Sequence, residues 1–265
     1  ALALVLGKRV GWPKDRMKPH SLPLVVLGAG LLWFGWFGFN AGSAVAANGT
    51  AGVAFVNTLV ATSAAMLGWL LVERVRDGNA TTLGAASGIV AGLVAITPAC
   101  SSVTPVGAIA IGAITGALCA LAVSLKYRFG FDDSLDVVGV HLVGGLVGTL
   151  GIGVLAADGG LLTGGGASLL LVQALVALAA MLYSGVLTTV IALVLKHTLG
   201  WRIPEEDEQA GIDIAQHAEA GYDLAGALAS RRDRPIAPSP FPPSGAGPEP
   251  RNPAPAVPAT DPAAV

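Results

Sequence analysis

The 265-residue chain is too apolar for a soluble domain: 53% of its residues are hydrophobic, 12% are charged and the mean hydropathy is +0.69. A formal net charge of −2 argues against a nucleic-acid partner, and two cysteines without CxxC or CxxH spacing argue against a disulfide framework and a zinc site. We therefore expect an all-α polytopic membrane protein with neither a metal nor a cofactor.

Residues 1–6, ALALVL, are apolar but much shorter than the roughly 20 helical residues that a bilayer requires. They also lack the initiator Met and the basic segment of a signal peptide. We interpret them as the end of a helix that begins upstream, and the chain as the carboxy-terminal fragment of a longer protein. Residues 1–20 then comprise this helix end and a basic cytoplasmic loop.

Six long apolar stretches follow, and each is predicted to be a transmembrane helix within a domain covering residues 21–201. They cover residues 22–44, 50–72, 81–98, 103–125, 135–157 and 167–198. Glycines recur at four-residue spacing inside them, as in Gly84–Gly88–Gly92, Gly112–Gly116 and Gly144–Gly148. Because such spacing lets helix backbones approach closely, we expect a tightly packed bundle.

Positive charge alternates between the connections. All 15 Lys and Arg residues lie in the leading segment, in residues 73–80 and 126–134, at the end of the last stretch or in the tail. The positive-inside rule places these regions in the cytoplasm. The pattern predicts a multi-pass protein of the cell membrane with a cytoplasmic carboxy terminus.

The chain becomes polar after Trp201. Residues 203–208, IPEEDE, are too acidic to enter a membrane, and residues 202–224 are predicted to form a cytoplasmic segment with a short helix. Residues 225–265 are rich in Pro and Ala and contain few large apolar residues, so this tail is predicted to be disordered.

The stretch most indicative of function is residues 136–148, DVVGVHLVGGLVG. An ionisable side chain at membrane depth, here His141, usually faces a protein interior or a water-filled path, although a buried histidine can also be a hydrogen-bonded core residue. His141, Gly145 and Gly148 share one helix face, which would either admit a neighbouring helix or leave a narrow conduit. Asp136 lies about 140° round the helix from His141 and is expected to cap it, with a direct role as the alternative.

The second indicative stretch is the aromatic end of the first long helix. Five rings occupy the seven positions 33–39, and Asn40 and Ser43 follow. Aromatic rings at a membrane interface are commonly belt residues. The cluster also suits a cation vestibule, because ring faces attract cations and a hydroxyl oxygen accepts a hydrogen bond from them.

Taken together, these stretches resemble the ammonium transporter family of the Amt type. The resemblance covers residues 1 to about 224 and is carried by the strings KPHSLP (18–23), GWFGFNAGSA (35–44), FVNT (55–58), AGLVAITPAC (91–100), DVVGVH (136–141) and IPEE (203–206). It implies an inverted-repeat fold of eleven membrane helices, of which this chain holds the last six. It also implies a homotrimer with one narrow pore in each subunit.

The resemblance implies roles for single residues. Phe39 corresponds to one phenylalanine of a stacked pair that closes the outer end of the pore, and Trp36 and Ser43 correspond to the outer vestibule that recruits ammonium or methylammonium. His141 corresponds to the second histidine of a twin-histidine site. Asp136 corresponds to a structurally essential aspartate. The first histidine, the other phenylalanine and the first five helices would lie upstream.

Residues 203–222 resemble the family's regulatory carboxy-terminal region, onto which a P-II type signalling protein docks in many bacterial members; a solvated acidic tail is the alternative. For the whole protein we predict ammonium transport. An enzymatic role is disfavoured, because the spans contain one buried histidine and no pair of buried acids. Two further alternatives are an ammonium sensor of the same fold and a nonfunctional fragment.

Overall fold

A computed structural model describes residues 1–15 and 17–222. The predicted disordered tail, residues 225–265, lies outside the described residues. Within the described part the chain is helical and forms no strand, and Val103 and Ala156 share one isolated antiparallel bridge. The predicted all-α class is therefore confirmed.

The described residues contain nine α-helices and three short turns of other helix types. The α-helices are α1 (Leu2–Leu6), α2 (Leu22–Gly42), α3 (Gly49–Arg76), α4 (Thr82–Ile96), α5 (Pro105–Ala122), α6 (Leu125–Phe129), α7 (Val143–Leu155), α8 (Ser168–Thr198) and α9 (Glu205–Ala210). A π-helical turn (Val138–Leu142) leads directly into α7, a 3₁₀ turn (Leu161–Thr163) precedes α8, and a second π-helical turn (Asp213–His217) follows α9.

The chain divides into two compact units, Ala1–Gln209 and Ala210–Val265. The first contains all the long helices. The described part of the second, residues 210–222, contains the π-helical turn Asp213–His217, which ends at Ala218 in a left-handed conformation.

Five helical segments of the described chain are long and apolar enough to cross a membrane. They are Leu22–Gly42, Gly49–Arg76, Pro105–Phe129, Val138–Leu155 and Ser168–Thr198. The third predicted span, residues 81–98, is instead the 15-residue helix α4, about 22 Å long at 1.5 Å per residue against a hydrocarbon core of about 30 Å. The hydrogen bonds of this helix end near Ile96 because Pro98 has no N–H to donate.

Short polar side chains start the helices. Asn48 Oδ1 accepts a hydrogen bond from Ala51 N at 3.1 Å, and Thr81 Oγ1 accepts one from Gly84 N at 2.8 Å. Thr104 Oγ1 does the same for Gly107 N at 3.2 Å. Because the first amides of a helix have no partner within it, these caps fix where α3, α4 and α5 begin.

Helices α3, α4 and α5 form the packed centre of the first unit, and glycines set their spacing. Gly112 and Gly116 of α5 lie directly on the carbonyl groups of Ala61 and Ala65 of α3. On α4, a Cβ added to Gly88 would lie 2.8 Å from Met66 Cα. The predicted close approach of helices at these glycines is confirmed.

Helices α2 and α8 have few buried residues. In α2 only Ala29 and Asn40 are buried, and in α8 only Ala192 is. Apolar side chains therefore cover most of the surface of both helices.

The connection between α4 and α5 is held by one buried amide. Asn57 of α3 is completely buried, and its Nδ2 donates to Cys100 O at 2.8 Å and to Val103 O at 2.7 Å. These carbonyls belong to the non-helical turn that follows α4. The burial of Cys100 in this turn raises the pKa of its thiol above the usual value.

Replacing Asn57 with alanine is expected to lower the free energy of unfolding by about 1–3 kcal/mol, because two buried carbonyl groups lose their donor. The measurement is unfolding of the purified protein in detergent micelles, followed by tryptophan fluorescence. Ser63→Ala in the same helix is the control, since that hydroxyl bonds only to its own helix at Leu59 O. Equal stability of the two variants would contradict the prediction.

Candidate functional site

His141 lies in the π-helical turn just before α7, and its side chain is exposed in this chain. It faces an open cavity of about 550 Å³. The cavity is lined by α2 (Val25, Gly28, Ala29, Leu32), by α4 (Leu83, Ala86, Ser87, Val90), by residues 17–20 and by residues 134–136, 140 and 141. Single π-helical turns within α-helices are frequently found at functional sites.

The glycine strip beside His141 divides into two parts. A Cβ added to Gly145 would meet nothing within 4 Å, whereas Gly148 lies directly on the carbonyl group of Ala95 in α4. The strip therefore leaves space next to the imidazole and admits a neighbouring helix one turn further on. The two possibilities that the sequence left open, a space beside the ring and contact with a neighbouring helix, are both present, the first at Gly145 and the second at Gly148.

Asp133, and not Asp136, caps the helix that carries His141. Asp133 Oδ1 accepts from Val137 N at 3.0 Å, and its Oδ2 accepts from Val138 N at 2.7 Å. Asp136 has a φ of 57°, in the left-handed region, so the expected capping geometry is wrong. The two aspartates are only three positions apart in the sequence, and which of their carboxylates accepts hydrogen bonds from the first amides of the helix depends on the fold of the loop.

Asp136 instead forms an ion pair with Lys126 of α6, and the distance from Lys126 Nζ to Asp136 Oδ1 is 2.7 Å. Burial raises the pKa of the Asp136 carboxyl above its usual value, and the hydrogen bond from Lys126 opposes that rise. Its side chain also lines the cavity next to His141.

The aromatic end of α2 is ordered by a hydrogen bond to α4. Trp36 Nε1 donates to Thr97 Oγ1 at 2.8 Å, and Thr97 Oγ1 donates to Leu93 O at 2.7 Å. The Trp36 ring lies against the Phe39 ring with a centroid distance of 4.8 Å and a tilt of 32°. The Phe39 side chain is 56% exposed, so it offers a ring face to any ligand at this end of α2.

Ser43 is also exposed, and its hydroxyl donates to Phe39 O at 2.6 Å. The lone pairs of that hydroxyl stay available, so Ser43 can accept a hydrogen bond from a ligand N–H but has no free proton to donate.

The predicted site residues of α2 lie on the same helix face as the cavity. The spacing of three or four residues continues along this face through Val25, Gly28, Leu32, Trp36, Phe39 and Ser43. On α4, Leu83, Ser87 and Val90 line the cavity, and Thr97, which bonds to Trp36, follows the end of this helix. The cavity at His141 and the aromatic pair therefore lie along one line on the same face of α2.

Three residues of this region were not identified from the sequence as site residues: Thr97, Lys126 and Asp133. An acidic residue just before an apolar helix is a common sign of a helix cap, but Asp132, Asp133 and Asp136 all fit this pattern. Lys126 and Thr97 act on partners in other helices or loops, which a local pattern does not reveal.

The basic segment after α1 contacts two other parts of the same unit. Arg9 Nη1 lies 3.1 Å from Asp132 Oδ1, and the Trp12 ring stacks on the Tyr127 ring at 5.1 Å. Val10 N donates to Glu208 Oε1 at 2.8 Å. The hydrogen bond from Arg202 to Glu208 holds the pKa of this carboxyl below its usual value. Residues 8–12 therefore contact both the loop before His141 and the segment after α8.

Comparison with known proteins agrees with these features. The profile of the Ammonium Transporter Family matches residues 1–222. The chain is 63% identical over 241 residues to an ammonium transporter of Mycobacterium tuberculosis, covering 86% of this chain and 50% of the relative. It is 45% identical over 232 residues to an ammonium transporter of Bacillus subtilis, covering 83% and 56%. The chain thus spans about half the length of the curated relatives it matches.

Solved structures give the same result. A protein described as a sensor Amt protein is similar with a TM-score of 0.75 and 34% identity, over 81% of this chain and 55% of that chain. Mep2 of Candida albicans is similar with a TM-score of 0.71 and 32% identity, over 90% of this chain and 55% of that chain. Members of the matched family are channels or transporters and not enzymes. From its sequence match and its fold, this chain belongs to the ammonium transporter family.

Proposed function

We propose that this chain is the carboxy-terminal half of an ammonium transporter of the cell membrane, and that the line from Ser43 to His141 is one wall of its pore. The observation that supports this most is the shared face of α2, on which the cavity and the aromatic pair follow one another. The first five helices, supplied from upstream, would close the pore from the other side and cover the exposed faces of α2 and α8.

At the outer end, an ammonium or methylammonium ion would be held over the ring faces of Trp36 and Phe39, since such faces attract cations. The Trp36 N–H is already bonded to Thr97 and one side of the ring lies against Phe39, so Trp36 would attract the ion through the ring face turned away from Phe39. Ser43 would accept a hydrogen bond from the ion. Phe39 would also obstruct the entrance, together with a phenylalanine from the upstream half.

Beyond Phe39 the shared face of α2 and α4 is made of apolar side chains and glycine, apart from Ser87 and Thr97, and the other polar side chains at the cavity come from neighbouring segments. Taking a charged ion into such surroundings costs far more than taking in neutral ammonia. The nitrogen would therefore pass as ammonia, and the ammonium ion would give its proton to solvent water at the outer end. His141 would hydrogen-bond to the passing nitrogen and to a partner histidine from upstream. Asp136 supports the segment that carries His141.

The direct test is flux through the full-length transporter that carries this chain. Proteoliposomes are expected to take up labelled methylammonium, with inhibition by ammonium and no effect of sodium. Uptake equal to that of protein-free liposomes would refute transport.

A sensor of the same fold is the second candidate, and the similarity to a sensor Amt protein is the observation that favours it. A sensor would bind ammonium without moving it. Ammonium-dependent quenching of tryptophan fluorescence in detergent, combined with no flux in the liposome experiment, would decide for the sensor.

We further infer a homotrimer with its carboxy terminus in the cytoplasm, residues 202–224 as a regulatory segment and a P-II type protein as a partner on that side. The charge of residues 8–14 and the contact of Glu208 with this basic segment support the orientation. Labelling of single cysteines from either side of the membrane tests it, and a cysteine at residue 205 should react only from the cytoplasm.

Thr97 should influence uptake through Trp36. Replacing Thr97 with valine removes the acceptor of the Trp36 N–H, and we expect methylammonium uptake to fall about tenfold, the equivalent of one lost hydrogen bond of about 1.4 kcal/mol. Thr97→Ser keeps the hydroxyl and should stay within about twofold of the natural protein. Equal uptake by the two variants would show that the hydrogen bond does not matter. Liposome flux at matched protein density is the measurement.

A further inference from the structure

A buried lysine side chain lies next to the turn that carries His141. Lys126 of α6 is 9% exposed and is the one buried basic residue in the described part of the chain. Its Nζ donates to Asp133 O at 2.9 Å and to Asp136 Oδ1 at 2.7 Å. A buried charge is tolerated only when it is paired and hydrogen-bonded. The charged amino group of Lys126 therefore depends on these two residues.

Each of the two partners makes hydrogen bonds at the start of the π-helical turn. The carboxylate of Asp133 accepts from the amides of Val137 and Val138, at 3.0 and 2.7 Å. The carbonyl oxygen of Asp136 accepts from Val140 N at 2.8 Å. Lys126 therefore binds the two residues that accept hydrogen bonds from three backbone amides in the segment that ends at His141.

The backbone at this point is held in an uncommon conformation. Asp136 has a φ of 57°, which a residue with a side chain adopts only when its surroundings impose it. The π-helical turn that follows contains one residue more per turn than an α-helix. If it relaxed to α-helix while α7 stayed packed through Gly148, the residues before α7 would rotate by about 100°. Such a rotation would turn the imidazole away from the cavity.

We propose that Lys126 is a positioning residue for His141: by holding Asp133 O and the Asp136 carboxylate together, it fixes the π-helical turn and aims the imidazole into the pore. This inference rests on the proposed function. It differs from a general contribution to stability, because it predicts that the loss on removing Lys126 passes through His141 alone.

The test is a double-mutant cycle in the full-length transporter, with liposome flux of methylammonium per reconstituted protein as the readout. Lys126→Met is expected to lower the maximal rate about tenfold, since small misplacements of a reacting group are costly, with KM within about twofold because the outer residues are untouched. Lys126→Arg keeps the charge and should recover most of the rate. Arg128→Met, an exposed residue on the same helix, is the matched control and should leave the rate unchanged.

The cycle adds His141→Ala. If Lys126 acts through His141, the double variant Lys126→Met/His141→Ala transports at the rate of His141→Ala alone. Multiplied losses would overturn the inference, and so would an unchanged rate in Lys126→Met. Where Lys126→Met does not accumulate in the membrane, Lys126→Gln, whose shorter and uncharged side chain loses the ion pair with Asp136, carries the same cycle and the same criterion.

The two levels of the argument fail differently. No uptake by the natural protein, or full uptake by His141→Ala, refutes the proposed function. Loss of uptake in His141→Ala with a multiplied loss on removing Lys126 refutes only the positioning role.

Discussion

Replacing His141 with alanine in the full-length transporter is expected to lower methylammonium uptake at least about hundredfold, a typical cost of losing a side chain that exchanges hydrogen bonds or protons with a reacting group. Within α7 and the π-helical turn before it, His141 is the polar side chain that lines the cavity. Without it, a nitrogen passing this point would lose the hydrogen-bond partner that this helix supplies, and less of the cost of desolvation would be offset.

His197→Ala is the matched control for that experiment. His197 is exposed on α8, and its Nδ1 lies 2.7 Å from Leu193 O of the same helix, so its loss should leave uptake within about twofold. The oligomeric state of both variants is measured by size-exclusion chromatography, and uptake is compared at matched protein density. Full uptake by correctly assembled His141→Ala would remove His141 from the pore mechanism.

The second large effect concerns folding, at Gly116. A Gly→Ala change in a helix normally stabilises it by about 1 kcal/mol. Here the new Cβ would overlap the backbone carbonyl of Ala65 in α3. Neither group can move away without moving the helix to which it belongs. We expect Gly116→Ala to lower the free energy of unfolding by about 2–3 kcal/mol and Gly116→Leu to prevent accumulation of folded protein.

Gly185 of α8 provides the comparison, because a Cβ there would meet nothing within 4 Å. Gly185→Ala should be neutral or stabilising in the same unfolding measurement in detergent. If Gly116→Ala matched it, the close contact of α3 and α5 at this glycine would not contribute to stability. A graded loss from Ala to Leu at position 116 is the expected result.

The sequence by itself determined the class of the protein and the positions of its helices. Long apolar stretches, their capping residues such as Asn48 and Thr104, and glycines at four-residue spacing are local signals. Each reports on hydrogen bonds or packing within one helix or between neighbours. The motifs around Phe39 and His141 were enough to assign the family before any contact was known. The length of α4 was overestimated, since hydropathy continues past the point where Pro98 stops the helix.

Tertiary structure alone decided how the candidate site is built. The Trp36–Thr97 hydrogen bond joins residues 61 positions apart, and the Arg9–Asp132 contact joins residues 123 positions apart. Asp133 caps the helix while Asp136 pairs with Lys126, which bonds to both residues from another helix. A sequence pattern records which residues can make such bonds. Which bonds form depends on the positions that helix packing gives to segments distant in the chain, and for that reason the surroundings of His141 could be read only from the fold.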